Sequence, residues 1–540
     1  MPSSNRLFTS LVLVLATSSA VACGSSARSN DDPSVPSPSR DDAGNGGGDA
    51  ATTPKADPVN DTPAPSEINE TLGVFVAPSG AANGDGSRAR PLATVQAGVD
   101  LGKSVGKRVY VCTGTYHEAV TLADSISVIG GMDCSAATWT VGGARSRIEA
   151  PSSPAVRAKD ITSPTRIEGL DIVAPSATEP GASSIGMLAD HSAGLTLAKS
   201  SVKAGDGASG ADGTEGIALT LDAVAAKGED TVPDGKCVTG VTCSGVAAGG
   251  AIDWKSSRGG VGGTSLCSGA PGHNGQSGGA GGGGGLFVRS APSPVLPRPP
   301  AVWEYYTGRF LSPVSKPSFG EDRSRLPAPG GASGVSGASL GTLGVDGYAG
   351  VAGGAGTDGS PGYGGFGGRG SNPTTPADNA AVSDTWRGLG GPAGGAGGCP
   401  GLAGTPGGGG GASIALALID SPMVVDGTQL TAGKGGAGGH GTFGSDPTAG
   451  GAAGAELSGD PNNAARGGGR GGAPGISANG SSGPSIGILH SGAPAKLQAG
   501  GRATAGTGGA AIAERSHDDA GNVRTIPATP AGLAKDVLAL

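Results

Sequence analysis

Large side chains are scarce in this sequence. Aromatic residues make up 3% of the chain and charged residues 15%, while 109 of the 540 residues are glycine. Beyond the first 22 residues, no apolar segment approaches the roughly 20 residues that a helix needs to cross a bilayer. We therefore expect a protein built from repeated short elements, without a membrane-spanning helix.

The chain also lacks an excess of positive charge. It carries 36 basic and 44 acidic residues, a formal net charge of −8. Between Gly24 and Glu70, nine acidic residues stand against three basic ones, so this segment holds most of the net charge. The rest of the chain is close to neutral. Because nucleic acids are held largely through their phosphates, nucleic acid is not an expected partner.

Proline is missing where a collagen would need it. Glycine occupies every third position of residues 341–370, yet Pro361 is the only proline there. Collagen needs imino acids to hold its chains extended, so the pattern instead suits an extended helix of the polyproline II type. Such a helix must pair its N–H and C=O groups with neighbours. A straight segment would reach about 90 Å, so we expect it to fold back.

The triplet period recurs in other glycine-rich segments. Glycine keeps the period at 207–216 and at 269–284, and phase changes at Leu340 and Pro400 mark candidate bends. The arrangement resembles the polyglycine-II-like bundles inferred for PGRS-type Gly-rich proteins. The alternative is simple disorder, which glycine-rich composition often implies. We favour packed, polyglycine-II-like extended helices.

Residues 1–22 have the features of a secretory signal. Arg6 precedes an apolar stretch, and Ala20-Val21-Ala22 leads to Cys23. The order resembles a bacterial lipobox, in which the cysteine is acylated. The resemblance implies a lipid anchor at Cys23 in the outer membrane, facing the periplasm or the cell surface. Ordinary cleavage after Ala22 is the alternative.

Residues 23–70 contain hardly any large apolar side chains. Aspartate, proline, serine, glycine and alanine dominate, so the segment cannot bury enough surface to offset its chain entropy. We predict a disordered acidic tether between the membrane and the folded part of the protein.

Short alternating strands follow in residues 71–203. VFVAPSG, RVYVCTGTY and TRIEGLDIVAP alternate apolar and polar residues, with turns roughly every ten to twelve residues. A helix begins near Pro91, with Leu92, Val95 and Val99 on one face. Evenly spaced short strands without long helices indicate an all-β stacked solenoid, and the helix would cover its first rung.

This segment resembles a known superfamily. GDGSRARPLATVQAGVD, followed by VYVCTGTYHEAVTL and SVIGG, is similar to the first rungs of right-handed parallel β-helices of the pectin-lyase-like superfamily, as found in predicted myxobacterial lipoproteins. The resemblance covers residues 71–203 and implies a right-handed parallel β-helix solenoid with Gly-rich insertions. It implies little about activity, because this fold serves lyases, hydrolases, adhesins and inert spacers alike.

Six cysteines besides Cys23 suit an oxidising compartment. Cys112 and Cys134 are one rung apart, so stacking would bring them together, and we predict that they form a disulfide. The pairing of the other four stays open: Cys237, Cys243, Cys267 and Cys399. A zinc site is the alternative, but no histidine lies near KCVTGVTC. No cofactor or metal is expected.

A repeat of 23 or 24 residues begins at Ser184, Ser413 and Ser485. Each copy opens with Ser-Ile and continues through apolar strands into Ala-Gly, a length that suits one rung. We therefore predict further β-helix rungs within a Gly-rich region at 204–512, followed by a C-terminal tail at 513–540.

One proline-rich excursion, at 291–329, concentrates aromatic residues. Aromatic rings stack on sugars or on partner proteins, so the excursion is the candidate binding site for polysaccharide or surface proteins. Packing of the rings against the solenoid is the alternative. The residues are Trp303, Tyr305, Tyr306 and Phe310.

Catalysis is the second functional hypothesis, because the fold is shared with polysaccharide-cleaving enzymes. His440 lies in a Gly-His-Gly element, but the paired aspartates that should precede it are absent. Asp171, Asp190 and Lys199 are scattered candidates for a lyase site. We expect a non-enzymatic structural, adhesive or matrix-binding scaffold, with a polysaccharide lyase or hydrolase as the alternative.

Overall fold

Alternating β-branched and polar residues form most of the regular structure, as their preference for a half-buried pleated surface predicts. The computed structural model describes residues 62–135, 138–142, 144–230, 259–268, 272–282, 286–289, 308–312, 326–337, 340–370, 385–387, 391–456 and 464–540. The helices are α1 (Val95–Val105), α2 (Ala223–Ala226) and a 3-10 turn (Pro65–Glu67).

The strands are short. In chain order they are β1 (Gly73–Ala81), β2 (Arg108–Cys112), β3 (Thr115–Tyr116), β4 (Val120–Thr121), β5 (Val128–Asp133), β6 (Thr140–Val141), β7 (Ser146–Glu149), β8 (Val156–Lys159), β9 (Thr165–Glu168), β10 (Leu170–Val173), β11 (Ser184–Asp190), β12 (Leu195–Ala198), β13 (Ser201–Lys203), β14 (Thr220–Leu221), β15 (Cys267–Ser268), β16 (Leu286–Arg289), β17 (Gly308–Ser312), β18 (Thr342–Gly344), β19 (Gly347–Ala349), β20 (Thr385–Arg387), β21 (Ser413–Ile419), β22 (Val424–Asp426), β23 (Gln429–Thr431), β24 (Ser485–Ser491), β25 (Lys496–Leu497), β26 (Arg502–Thr504), β27 (Arg515–Asp519), β28 (Asn522–Ile526) and β29 (Ala534–Ala539).

Three parallel sheets organise the protein. The first has the order β1-β2-β5-β9-β12-β22-β25, with β6 antiparallel at β5; the second is β3-β7-β10-β13-β23-β26; the third is β4-β8-β11-β21-β24-β29. From β7 to β13 the chain adds one strand to the second, third and first sheets in turn. The predicted all-β class and the parallel pairing are therefore observed.

The inward side chains of the three sheets form the main core. One column in the second sheet runs through Ile148, Ile172, Val202, Leu430 and Ala503, which occupy matching register positions. All five are buried in the same apolar cluster. Because burying an aliphatic side chain contributes about 1.5–3 kcal/mol, repetition of these columns stabilises the stack without large aromatic residues.

Helix α1 packs on the first strands, as the apolar face of Val95 and Val99 predicts. It begins at Val95 rather than near Pro91, and Leu92, expected on the same face, forms an isolated β-bridge with Val76 instead. Thr94 caps its N-terminus, and Gly106, with φ of 65°, ends it in the left-handed conformation. The side chains of Val95 and Val99 are buried in the main core. Glu118 accepts hydrogen bonds from the backbone N–H groups of Val95 and Gln96, at 2.6 and 2.9 Å. This glutamate therefore fixes the start of the helix.

The three Ser-Ile repeats begin adjacent strands of the third sheet. Ser184 pairs in register with Ser413, and Ser413 with Ser485. The Ser413 hydroxyl donates to the carbonyl of Gly205 at 2.6 Å and accepts from the N–H of Gly433 at 2.7 Å. Ser485 does the same with Gly433 and Gly506, so these two serines tie their strand starts to the glycine-rich segments, whereas Ser184 donates to Pro175.

The glycine-rich segments pack around residues 391–412. Along this run, N–H groups three residues apart donate to neighbouring carbonyls, for example Gly395 to Arg466 and Gly398 to Gly469. Among the described residues, six glycine-rich segments hydrogen-bond to it, and Ser183 and Ser184 bond to its last residue, Ala412. The six are 207–229, 259–264, 275–282, 350–368, 433–454 and 466–484. We call these seven segments the glycine bundle.

Glycine is required because the bundle's segments are too close for side chains. A Cβ atom at Gly397 would collide with the carbonyl of Gly362, and one at Gly468 with the carbonyl of Ala396. N–H groups that leave one segment meet carbonyls or side-chain oxygens of the next, which satisfies the backbone without a β-ladder. The triplet period therefore corresponds to ordered packing here.

The expected fold-back of residues 341–370 is only partly observed. The first residues turn back as the antiparallel hairpin β18–β19. Residues 350–368, however, run straight and antiparallel to 391–412, with Gly353 bonded to Gly407 and Gly368 to Pro392. The phase change at Pro400 likewise does not bend the chain. Neighbouring segments satisfy the backbone along the whole length, so no bend is needed.

Candidate functional site

Several of the predicted site residues lie outside the described part of the chain. They are Cys23, Cys237, Cys243, Trp303, Tyr305 and Tyr306. Phe310 lies in β17, which pairs antiparallel with β16 so that Phe310 is opposite Phe287. The aromatic excursion therefore remains a prediction.

The predicted cysteine pair is brought together. Cys112 and Cys134 are disulfide-bonded with Cα atoms 5.8 Å apart. The structure also resolves part of the pairing that the sequence left open, because Cys267 and Cys399 form a second disulfide, again with 5.8 Å between Cα atoms. This second bond links β15 to the central run of the glycine bundle.

The outward face of the second sheet carries a row of polar side chains. We call it the ladder face; it contains Arg147, Glu149, Asp171, Ser201, Lys203, Gln429, Thr431, Arg502 and Thr504. Arg147 bonds to Asp171 at 2.8 Å and to Glu149 at 3.4 Å. Asp171 also accepts a hydrogen bond from Ser201. The carboxylates of this face are therefore already paired with protein groups.

A second polar group lies at a corner of the stack, where strands of the third sheet end. His191 approaches Asp190 at 2.6 Å and Asp420 at 3.8 Å. His191 follows β11 and Asp420 follows β21. Their φ angles are 48° and 45°, so both strands are followed by a residue in the left-handed conformation. Behind them, Ser192 donates to the Asp190 carbonyl at 2.8 Å. These contacts shape the corner.

A third group joins the N-terminal segment to the first sheet. Glu168 is buried beside Arg166, at 2.5 Å, and Lys199, at 3.2 Å, and accepts a hydrogen bond from Thr62. Burial raises the pKa of Glu168, but the bonds from Thr62, Arg166 and Lys199 outweigh it and hold the pKa below its usual value. The carboxylate therefore stays charged and bound.

The same balance applies to Asp124 at another turn. Partial burial raises the pKa of Asp124. Hydrogen bonds from Ser163 and Thr162 lower the pKa by more than burial raises it, so the pKa lies below its usual value. The Asp124 carboxylate accepts both backbone N–H groups, at 2.7 and 2.9 Å. It holds two turns together.

The lyase candidates are not brought together. Asp171 lies on the ladder face, Asp190 at the corner, and Lys199 beside Glu168 on the first sheet. His440 is exposed within the glycine bundle, where its N–H donates to Asp212. In the described part of the chain, no group of three or more His, Cys, Asp and Glu side chains could hold a metal ion.

Sequence reasoning missed the role of the hairpin β27–β28. Arg515 donates to the carbonyl of Gly441, and Arg524 to that of Phe443. Arg524 also pairs with Asp446, which contacts His517 at 3.0 Å. A sequence signal was the loop Ala520-Gly521, because short glycine-containing loops join the strands of hairpins.

Comparison with protein-family models, with curated proteins and with solved structures finds no match. Within the described ranges, no helix is long and apolar enough to span a membrane.

Proposed function

We propose that the protein is a non-enzymatic cell-surface lipoprotein that acts as a structural, adhesive or matrix-binding scaffold. Its folded part would be a right-handed parallel β-helix of the pectin-lyase-like type, extended sideways by a polyglycine-II-like bundle. The N-terminal signal and Cys23 would attach it to outer-membrane lipid, as in the PGRS-like lipoproteins that the sequence resembles.

The glycine bundle is the observation that carries this proposal. Its central run, residues 391–412, is hydrogen-bonded to six neighbouring segments, and residues 391–402 are almost entirely buried. Backbone groups satisfied in this way give stiffness without a hydrophobic core. A stiff, side-chain-poor body suits a spacer or scaffold.

The pairing of the charged groups also supports a scaffold. Hydrolysis of a glycosidic bond needs two carboxylates placed to act as acid and base. Asp171 is bound to Arg147 and Ser201, and Glu168 is bound to Arg166 and Lys199. These groups have structural partners and lie apart from one another.

The test is to incubate the full chain with insoluble bacterial and plant polysaccharides and to score retention and new reducing ends in the same tubes. Retention without cleavage, weakened by Trp303→Ala, is the result expected of an adhesive scaffold. Tyr363→Ala, which removes an aromatic residue outside the 291–329 excursion, is the matched control and should leave retention unchanged.

Cleavage of any polymer by the wild-type protein would overturn the proposal and turn attention to Asp171 and Asp190. Absence of both retention and cleavage would favour the purely structural form of the scaffold.

A further inference from the structure

In two of the three sheets the apolar columns are exposed at the last layer, whereas the column of the second sheet ends in Ala503, which is 7% exposed. In the third sheet, Met187, Leu416 and Ile488 occupy matching positions and are at most 1% exposed, but Val537, next in the column, is 44% exposed. The first sheet repeats this pattern. Leu197 and Val425 are fully buried, whereas Leu497 is 44% exposed.

The opposite end of the stack is covered. Helix α1 lies on β1 and β2, and its Val95 and Val99 are at most 1% exposed. The five residues Gly73–Ala77 at the start of β1 are all buried. A stacked protein needs such a cap, because each layer can bury its apolar side chains only against a neighbour. Within the described residues, nothing comparable covers β25, β26 and β29.

The last layer also presents open strand edges on all three sheets. β25, β26 and β29 are each the terminal strand of their sheet. A strand edge is a template for pairing with another strand. Three edges at one level can be satisfied at once only by a partner with three edges in the same arrangement.

We propose that the last layer, residues 496–540, binds the last layer of a second copy of this chain, end to end. A second copy supplies three edges in the same arrangement, because β25, β26 and β29 end the same three sheets in each copy. Lys535 and Asp536 place a positive and a negative charge next to each other in β29. Charge repulsion therefore does not prevent the β29 strands of two copies from meeting. Because α1 covers the first layer, a head-to-tail chain is blocked, and the contact closes as a two-fold dimer.

Sedimentation velocity of the full chain over a range of concentrations tests this. The wild type should sediment as a dimer, and Val537→Lys, which places a charge at the exposed end of the column, should sediment as a monomer. Val345→Lys is the matched control, because Val345 is also exposed, at 55%, but lies in the β18–β19 turn. It should remain dimeric.

Hydrogen exchange of the wild-type protein gives a second test, which does not depend on whether Val537→Lys folds correctly. Amides of β25, β26 and β29 should become protected as concentration rises through the dimerisation range. A wild type that stays monomeric at every concentration would overturn the proposal. So would protection of these amides in the monomer, because another segment of the chain would then cover the layer. Leu497→Lys should reproduce Val537→Lys from a different sheet.

Discussion

Glu168 is a carboxylate whose charge depends on its neighbours. It lies under Thr62 and between Arg166 and Lys199, and Arg166 is itself buried. Replacing Glu168 would remove the buried carboxylate that Arg166 and Lys199 both contact, and breaking a buried ion pair is costly. The segment before β1 is therefore held to the first sheet by charge as well as by the burial of Ile68.

We predict that Glu168→Gln lowers stability at neutral pH by up to about 3 kcal/mol and flattens its acid dependence. The folded pKa lies below the unfolded value of about 4.3. The stabilisation is therefore present above the unfolded pKa and is lost as pH falls through the folded pKa. Urea midpoints between neutral pH and pH 3 measure both effects. Glu179→Gln changes an exposed carboxyl that forms no ion pair with the described residues, so this variant should behave as wild type.

At the scale of elements, the run 391–412 lies at the centre of the glycine bundle, where an ordinary domain would have hydrophobic side chains. Its neighbours approach in both directions, since 350–368 runs antiparallel to it and 466–484 runs parallel. A segment with three residues per turn offers N–H groups around its axis, so it can bond to neighbours on every side. A strand bonds on two sides only.

Gly397→Ala should destabilise the protein by about 1–3 kcal/mol or more, because overpacking a close contact forces the backbone apart. The added Cβ would meet the carbonyl of Gly362, which is backbone and cannot rotate away. Gly344→Ala is the matched control, since open space surrounds that position. Chemical denaturation compares the two; equal stability would contradict the packing described for the bundle.

At the scale of the whole molecule, the chain passes repeatedly between the three sheets and the glycine bundle. The chain leaves β13 into the bundle and returns to β21, and it leaves β23 and returns to β24. Most contacts therefore join residues far apart in sequence. Chain entropy opposes such contacts until long loops are closed, which makes cross-links across long loops valuable.

Removing the Cys267–Cys399 disulfide by double alanine substitution should therefore cost more than removing Cys112–Cys134. The bonds close loops with sequence separations of 132 and 22 residues. In the chain-entropy account this difference amounts to about 1–2 kcal/mol. Denaturation midpoints of the two double variants measure it. The reverse order would show that local packing around Cys112 outweighs loop closure.

Local sequence determined the parts of the fold that depend on periodicity and spacing. Alternation predicted the strands of 71–203, the Ser-Ile repeats predicted matching strands, and rung spacing predicted the Cys112–Cys134 pair. These features repeat along the chain, so neighbouring layers impose the same requirement at each copy. The binding role of Trp303 and its aromatic neighbours stays a prediction.

The tertiary structure alone decided which segments meet. A glycine at every third position lets any similar segment approach, but it does not specify which one or in which direction. The straight course of 350–368, the Cys267–Cys399 bond and the Glu168 cluster all depend on contacts between distant residues. Sequence by itself thus determined that the chain would form short strands and glycine-lined extended segments, while their mutual hydrogen bonding, a non-local property, determined how they pack.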